Sequence, residues 1–311
     1  MSKTAFVFPG QGSQSVGMLA DVLGSENVAR DTFNEASEVL GYDLTQLVLN
    51  GPEDQLNQTE FTQPALVTAS ITFWRLALDR GIARPEIVAG HSLGEYSALV
   101  ASEVIDFRDA VSLVQKRGQF MQSAVPVGEG GMAAILGLED EQVVAICNDC
   151  TEGDSLVQAA NFNATGQIVI AGRMDALQRA IEKCKASGAK RAMPLAVSAP
   201  FHSRMMVPAA QRMSDELARV AFSAPVIPVI QNVDADFETS PDQIRENLVK
   251  QMSEAVLWTD TIKRMSSEGV SHVVECGPGN VLSGLNKRIN RDLVSLTINS
   301  LDSLTNVAGA C

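Results

Sequence analysis

Positive charge is scarce in this chain: 24 Lys and Arg stand against 37 Asp and Glu, a formal net charge of −13. A general nucleic-acid binder presents a strong basic surface, so that class is excluded. Any anionic substrate must be met by local cations working against the overall field. Long apolar runs are missing too. None approaches the roughly 18 residues a membrane span needs, and the N-terminus lacks the apolar stretch of a signal peptide. A soluble, cytoplasmic protein is therefore expected. The cysteines (Cys147, Cys150, Cys184, Cys276 and Cys311) are odd in number, which argues against a disulfide framework. Cys147-Asn148-Asp149-Cys150 is a lone C-x-x-C inside a helical pattern. With three histidines and no second paired-cysteine motif, a zinc site finds little support, and no metal is expected.

What the chain does carry is a strand–turn–helix at its centre. Ile87, Val88 and Ala89 read as a short buried strand, Gly90-His91-Ser92-Leu93-Gly94 matches G-x-S-x-G, and residues 95–102 read as a helix. In that context a nucleophile elbow holds its Ser on a tight turn. Side chains at Gly90 or Gly94 would collide where strand and helix converge, and glycine tolerates the strained dihedrals. Ser92 Oγ then sits at a helix N-terminus, whose free N–H groups can stabilise an oxyanion.

The 311 residues, 45% of them apolar, suffice for one large domain or two modest ones. The strand 5–8 runs into Pro9-Gly10-Gln11-Gly12-Ser13-Gln14. This loop has neither Gly-Lys-Ser/Thr nor the G-x-G-x-x-G spacing, so both nucleotide templates fail. Either it is a structural turn, or the Gln11 backbone N–H is a second oxyanion donor. Helical patterns follow over 28–49, broken at Gly41, and over 65–80, with Gly51-Pro52-Glu53-Asp54 as a turn between them. Another helix spans 106–125 with Asp106 as N-cap. Arg117 shares a face of that helix with Leu113 and Met121, each one turn away. Such an Arg either snorkels or pairs structurally, or it turns its fork inward to receive a carboxylate.

From Gly130 to Val197 the pattern reads β-α-β-β-α-β, the ferredoxin-like signature, with Asn161-Phe162-Asn163 and Gly188-Ala189 as turns. Lys183, Lys185, Lys190 and Arg191 form its basic cluster, either a solvated face or a contact for a phosphorylated ligand. A long helix is expected over 203–220, strands over 226–233, 272–275 and 293–298, and helices over 242–252, 258–267 and 280–288. Alternating strands and helices point to a mainly parallel sheet covered on both faces. A Ser nucleophile needs a base, usually His. His91 adjoins Ser92 and diverges from it, His272 opens a strand, and His202 lies in a loop between the two regions; by elimination His202 is the base. None of the Asp residues between 92 and 202 marks itself out as the orienter, which leaves a backbone carbonyl open.

Phe8-Pro9-Gly10-Gln11-Gly12-Ser13-Gln14, Gly90-His91-Ser92-Leu93-Gly94-Glu95-Tyr96, the Arg117 helix, Pro200-Phe201-His202-Ser203 and Glu275-Cys276-Gly277-Pro278-Gly279 together resemble the malonyl-CoA:acyl carrier protein transacylase family over essentially the whole chain. The resemblance implies an α/β-hydrolase-like large subdomain (1–127 and 199–311) with an inserted ferredoxin-like small subdomain (128–198). It implies a free-standing enzyme of type II fatty-acid synthesis, acting as a monomer on malonyl-CoA and an acyl carrier protein, with no cofactor. Ser92 matches the nucleophile, His202 the base, and the backbone N–H groups of Gln11 and Leu93 the oxyanion hole. Gln251 resembles the residue whose main-chain carbonyl orients the His. Arg117 matches the clamp for the malonyl carboxylate, and His91, Asn161, Lys190 and Arg191 join it as substrate-binding candidates. Phe201 resembles malonyl-selective members, while Cys276 stands where a small apolar residue is more usual. Because the carrier is expected to be acidic, Lys190 and Arg191, or Lys287, Arg288 and Arg291, are candidates for docking it. Rival readings are a serine esterase or thioesterase, a loading acyltransferase of polyketide synthesis, and a silent carrier-binding subunit.

Overall fold

The computed structural model describes residues 3–197 and 199–310, so Cys311 lies outside the described residues. The chain opens with β1 (Lys3–Phe8), α1 (Ala20–Ser25), α2 (Asn27–Leu40), α3 (Leu44–Asn50), α4 (Glu53–Leu56) and α5 (Thr59–Asp79). Next come β2 (Ile87–Gly90), α6 (Gly94–Ala101) and α7 (Phe107–Ser123). A second group follows: β3 (Gly130–Leu136), α8 (Asp140–Cys150), β4 (Val157–Ala164), β5 (Gln167–Arg173), α9 (Met174–Ala186) and β6 (Arg191–Pro194). The chain then returns through α10 (Val207–Leu217), β7 (Val229–Ile230), α11 (Pro241–Gln251) and α12 (Trp258–Ser267). It finishes with β8 (Val270–Cys276), α13 (Val281–Ile289), β9 (Val294–Ile298) and α14 (Leu301–Ala310).

Five strands form a parallel sheet in the order β7-β2-β1-β8-β9. Side chains alternate across a strand, and β1 serves both faces. Phe6 and Phe8 join the core under α5, where they meet Trp74 edge-on at 5.7 and 6.3 Å. Ala5 and Val7 join the opposite core with Trp258 and Ile262 of α12. Each fully buried Phe contributes roughly 1.5–3 kcal/mol by leaving water. With both faces covered, the strands read as continuous apolar runs rather than alternating ones. Their C-terminal ends are where an open parallel sheet binds ligands.

The second sheet is antiparallel, in the order β4-β5-β3-β6, the ferredoxin-like arrangement. Ala133 and Ile135 of β3 pack with Val143 and Ile146 of α8 and Leu177 and Ile181 of α9. Met132, one residue out of phase, belongs with Ala160, Val169 and Ala171 to the larger core instead. The two layers therefore face each other across β3 and β5. They are also stitched at β4, where Phe162 N donates to Val256 O and Val256 N to Ala160 O, each at 2.9 Å.

Several expected elements shift. Asn161 and Asn163 lie inside β4, not in a turn, and the reversal falls at Gly166, whose φ of +68° suits a glycine. The helix expected over 203–220 shortens to α10, because Pro208 pre-sets its first turn. The strand expected over 226–233 is only Val229–Ile230. Helix α5 begins at Thr59 and carries Pro64 inside it.

Candidate active site

Three neighbouring strands of the parallel sheet deliver the site at their C-terminal ends: β1 leads to Gln11, β2 to Ser92 and β7 to Asn232. Ser92 sits at φ 51°, a left-handed conformation that a non-glycine residue adopts at a cost. Its surroundings hold it there. Ser92 N donates to Asn232 Oδ1 at 2.6 Å, and Asn232 Nδ2 donates to Gly90 O at 2.7 Å. A Cβ on Gly90 would strike Gly94 backbone, and one on Gly94 would strike Phe8 O. The glycines are required because β1, β2 and α6 converge within one side chain's width.

His202, 3% exposed, also has a left-handed backbone, φ 57°. Its Nε2 lies 2.6 Å from Ser92 Oγ, and its Nδ1 lies 2.7 Å from the main-chain O of Gln251. A carbonyl can only accept, so Nδ1 carries the proton and Nε2 is free to receive the Ser92 hydroxyl. The orienting group is thus a backbone carbonyl, not an Asp. Burial, followed by the nearby Arg117 charge, pushes the His202 pKa down to about 3, so the ring is neutral at physiological pH. His91 points elsewhere. Its Nε2 meets Asn163 Oδ1 at 2.7 Å and its ring packs 5.5 Å from Trp258, while burial lowers its pKa. His272, on β8, meets Ser271 Oγ.

Arg117 is 2% exposed. Nη2 donates to Ser92 Oγ at 3.1 Å and Gln251 Oε1 at 2.8 Å, Nη1 donates to Gln63 Oε1 at 2.9 Å, and buried Nε has no partner among the described residues. The guanidinium lies 5.7 Å from the Tyr96 ring. No carboxylate pairs with it among the described residues. Burial lowers its pKa, opposed by Tyr96 and Glu95. Buried charges are ordinarily paired. This cation has only neutral acceptors among the described residues.

Sequence reasoning missed three polar residues that complete this network: Gln63, Glu95 and Asn232. Glu95 is 1% exposed, and burial pushes its pKa up to about 7. A charged residue within the apolar stretch Gly94–Ala101 was the available signal.

A cleft of about 220 Å³ opens onto the pair, walled by Gln11, Leu93 and Leu285 on one side and Met132, Asn161 and Leu195 on the other. The amides of Gln11 and Leu93 have no hydrogen-bond partner among the described residues. Lys190 and Arg191 are not brought to the cleft. Lys190 N bonds Leu136 O at the end of β3 remote from Met132, and strand rise puts that about 13 Å away. Lys183 pairs with Asp149. Cys147, Cys150, Cys184 and Cys276 are buried and free, and burial pushes the Cys147 thiol up to about 12. No cluster of metal-ligating side chains occurs among the described residues.

Residues 5–293 match the family described as acyl transferase domain. The chain is 52% identical over 299 residues to the malonyl CoA-acyl carrier protein transacylase of Escherichia coli (strain K12), covering 96% of each. It superposes with a TM-score of 0.96 and 53% identity on an acyl carrier protein S-malonyltransferase from Vibrio cholerae O1, covering 98% of this chain and 100% of that one. A malonyl-transacylase solved in complex with a type II polyketide-synthase acyl carrier protein matches with a TM-score of 0.98 and 48% identity, over 100% of both chains.

Proposed function

The chain belongs to the acyl transferase domain family, within it to the malonyl-CoA:acyl carrier protein transacylases, and from that premise we propose the following reaction at the cleft. The malonyl group moves from malonyl-CoA to the phosphopantetheine thiol of an acyl carrier protein, through an ester on Ser92. His202 Nε2 takes the Ser92 proton as Oγ attacks the thioester carbonyl. The N–H groups of Gln11 and Leu93 hold the tetrahedral oxyanion. As the C–S bond breaks, the imidazolium returns its proton to the CoA sulfur and CoA leaves. The carrier thiol then enters, His202 removes its proton, the thiolate attacks the Ser92 ester, and Oγ leaves reprotonated. Thioester exchanged for thioester through an oxygen ester needs base and oxyanion donors, so no cofactor is assigned.

The observation that carries this reading is the guanidinium of Arg117, unpaired with any carboxylate among the described residues and 3.1 Å from Ser92 Oγ. A carboxylate seated on it must lie only a few bonds from the carbonyl that Oγ attacks, as in malonyl. His91 and Asn161 line the same pocket and join it as substrate contacts. The small subdomain is assigned to 128–198, set into a catalytic subdomain made of 1–127 and 199–311. Carrier docking is assigned to Lys287 and Arg288, in the last turn of the helix whose Leu282 and Leu285 wall the cleft, and to Arg291 just beyond it. The protein is placed in the cytoplasm as a monomer supplying fatty-acid elongation; no helix among the described residues is long and apolar enough to cross a membrane. The likeness to a polyketide-synthase partner enzyme favours, as a second reading, a polyketide carrier as acceptor.

Intact-mass analysis after mixing with malonyl-CoA tests the assignment. A malonyl adduct is expected, absent in Ser92→Ala and discharged by added carrier protein. Rapid release of free malonate without acceptor would make the protein a hydrolase instead.

A further inference from the structure

The nucleophile and its base reach their 2.6 Å contact from separate elements, and two residues hold them there. Asn232, after β7, grips the elbow through Ser92 N and Gly90 O. Gln251, the last residue of α11, holds His202 Nδ1 with its carbonyl. Its side chain also donates to Ser92 O at 2.9 Å and accepts from Arg117. No hydrogen bond joins Asn232 to Gln251 among the described residues. One atom joins them: Glu95 Oε2 accepts from Gln251 Nε2 at 2.8 Å and from Asn232 N at 3.2 Å.

We propose that Glu95 is a positioning residue for the acyl transfer, its single oxygen Oε2 setting the separation of nucleophile and base by holding Asn232 and Gln251 together. The inference rests on Ser92 and His202 being the reacting pair. Two features separate it from a role as counter-charge to Arg117. No ion pair forms between them among the described residues, and the second carboxylate oxygen, Oε1, is buried without a partner. What the neighbourhood uses is an acceptor at one point in space. Without it the Asn232 amide is orphaned in the interior, and Asn232 and Gln251 keep only their separate holds on the elbow, through Ser92 N and Ser92 O, among the described residues. A displacement near 1 Å at a reacting pair can slow chemistry by about 10²-fold.

The discriminating substitutions are Glu95→Gln, which keeps an acceptor oxygen at that point, and Glu95→Asp, which keeps the charge and withdraws it by one methylene. Single-turnover acylation of Ser92 by malonyl-CoA is followed by mass, alongside Ser92→Ala and a thermal melt of each variant. Glu95→Gln is expected to rescue acylation to within about threefold of the native rate. Glu95→Asp and Glu95→Ala should fall by about 10²-fold in the rate constant, with little change in half-saturating malonyl-CoA. Should Glu95→Ala not fold, the Gln and Asp variants still decide. Native rates in Glu95→Asp, or a Glu95→Gln as slow as Glu95→Asp, would overturn the proposal while an acylated native Ser92 left the transferase reading intact. A native protein that never acylates would sink both.

Discussion

Arg117 carries its charge into the interior with only amide and hydroxyl oxygens for hydrogen-bond partners among the described residues. That arrangement costs stability in the empty site and becomes favourable when a carboxylate arrives. Charge-assisted hydrogen bonds are worth about 1.5–3 kcal/mol each, so a two-pronged clasp accounts for a preference for malonyl over acetyl of two orders of magnitude or more. Arg117→Ala is therefore expected to abolish malonyl transfer while keeping or gaining acetyl transfer; unchanged malonyl kinetics would reject the clasp. The same residue is felt by the base. Burial first, and Arg117 second, hold the His202 pKa at about 3 instead of 6.5. The acid limb of kcat/KM, which reports the free enzyme's base, should thus lie well below pH 6.5 in the native protein. For acetyl transfer by Arg117→Ala it should move upward, because the second-largest of the causes that lower it is gone. An acid limb near 6.5 in the native enzyme would contradict a buried, neutral His202.

At the scale of elements, the clasp depends on how closely α7 packs against α5. Gly118, beside Arg117, faces the start of α5, and a Cβ there would sit 2.7 Å from both Glu60 Cα and Thr59 O. Gly118→Ala must push the helices apart and carry Arg117 away from Gln63 and Ser92. A fall of about tenfold in malonyl-to-acetyl preference is expected, larger than the fall in acetyl transfer itself. Competition assays with the two CoA esters measure it. Local signals made α7 legible in the sequence: Asp106 caps it, accepting from Arg108 N, and Gly41 ends α2 at φ 75°. The elbow was legible because its glycines, strand and helix are contiguous. Elsewhere tertiary context prevailed. The pattern places a helix over 65–80, yet α5 starts at Thr59, since its buried face extends through Thr59 and Thr62. Asn161 and Asn163 carry turn chemistry by residue type, but β4 pairs with Val256 as well as β5 and turns them into the cleft. Glu95, Gln63 and Asn232 stayed hidden because their partners lie between 54 and 156 residues away along the chain.

Across the whole molecule, the buried groups of the cleft leave opposite marks on stability. His202 and His91 have folded pKa values below the unfolded 6.5, so each binds a proton more readily when unfolded. The His202 contribution is fully present above pH 6.5 and is lost as pH falls towards about 3, and that of His91 declines in the same sense as pH falls below 6.5. Glu95 has the reverse sign: its pKa of about 7 exceeds the unfolded 4.5, chiefly through burial. Its contribution is present below pH 4.5 and is lost as pH rises through about 7. Between 4.5 and 6.5 the slopes oppose each other, with two imidazoles against one carboxyl, which predicts a stability maximum towards the upper end of that range and a decline on either side. Glu95→Gln removes one slope and leaves the other. Urea unfolding at pH 5.5 and 8.5, both clear of the sequence pI of 4.7, isolates it, because any constant cost of seating the amide cancels in the difference. Relative to native, the variant should gain about 2 kcal/mol on going from the lower pH to the higher, at 1.36 kcal/mol per pKa unit. An equal stability difference at both pH values would mean that the carboxyl does not titrate across this range. The carboxyl under the elbow would then stay in one protonation state through the pH range where the enzyme works, and the alkaline decline would have to arise from another buried acid, of which Glu275, raised by burial and capping α13, is the next in line.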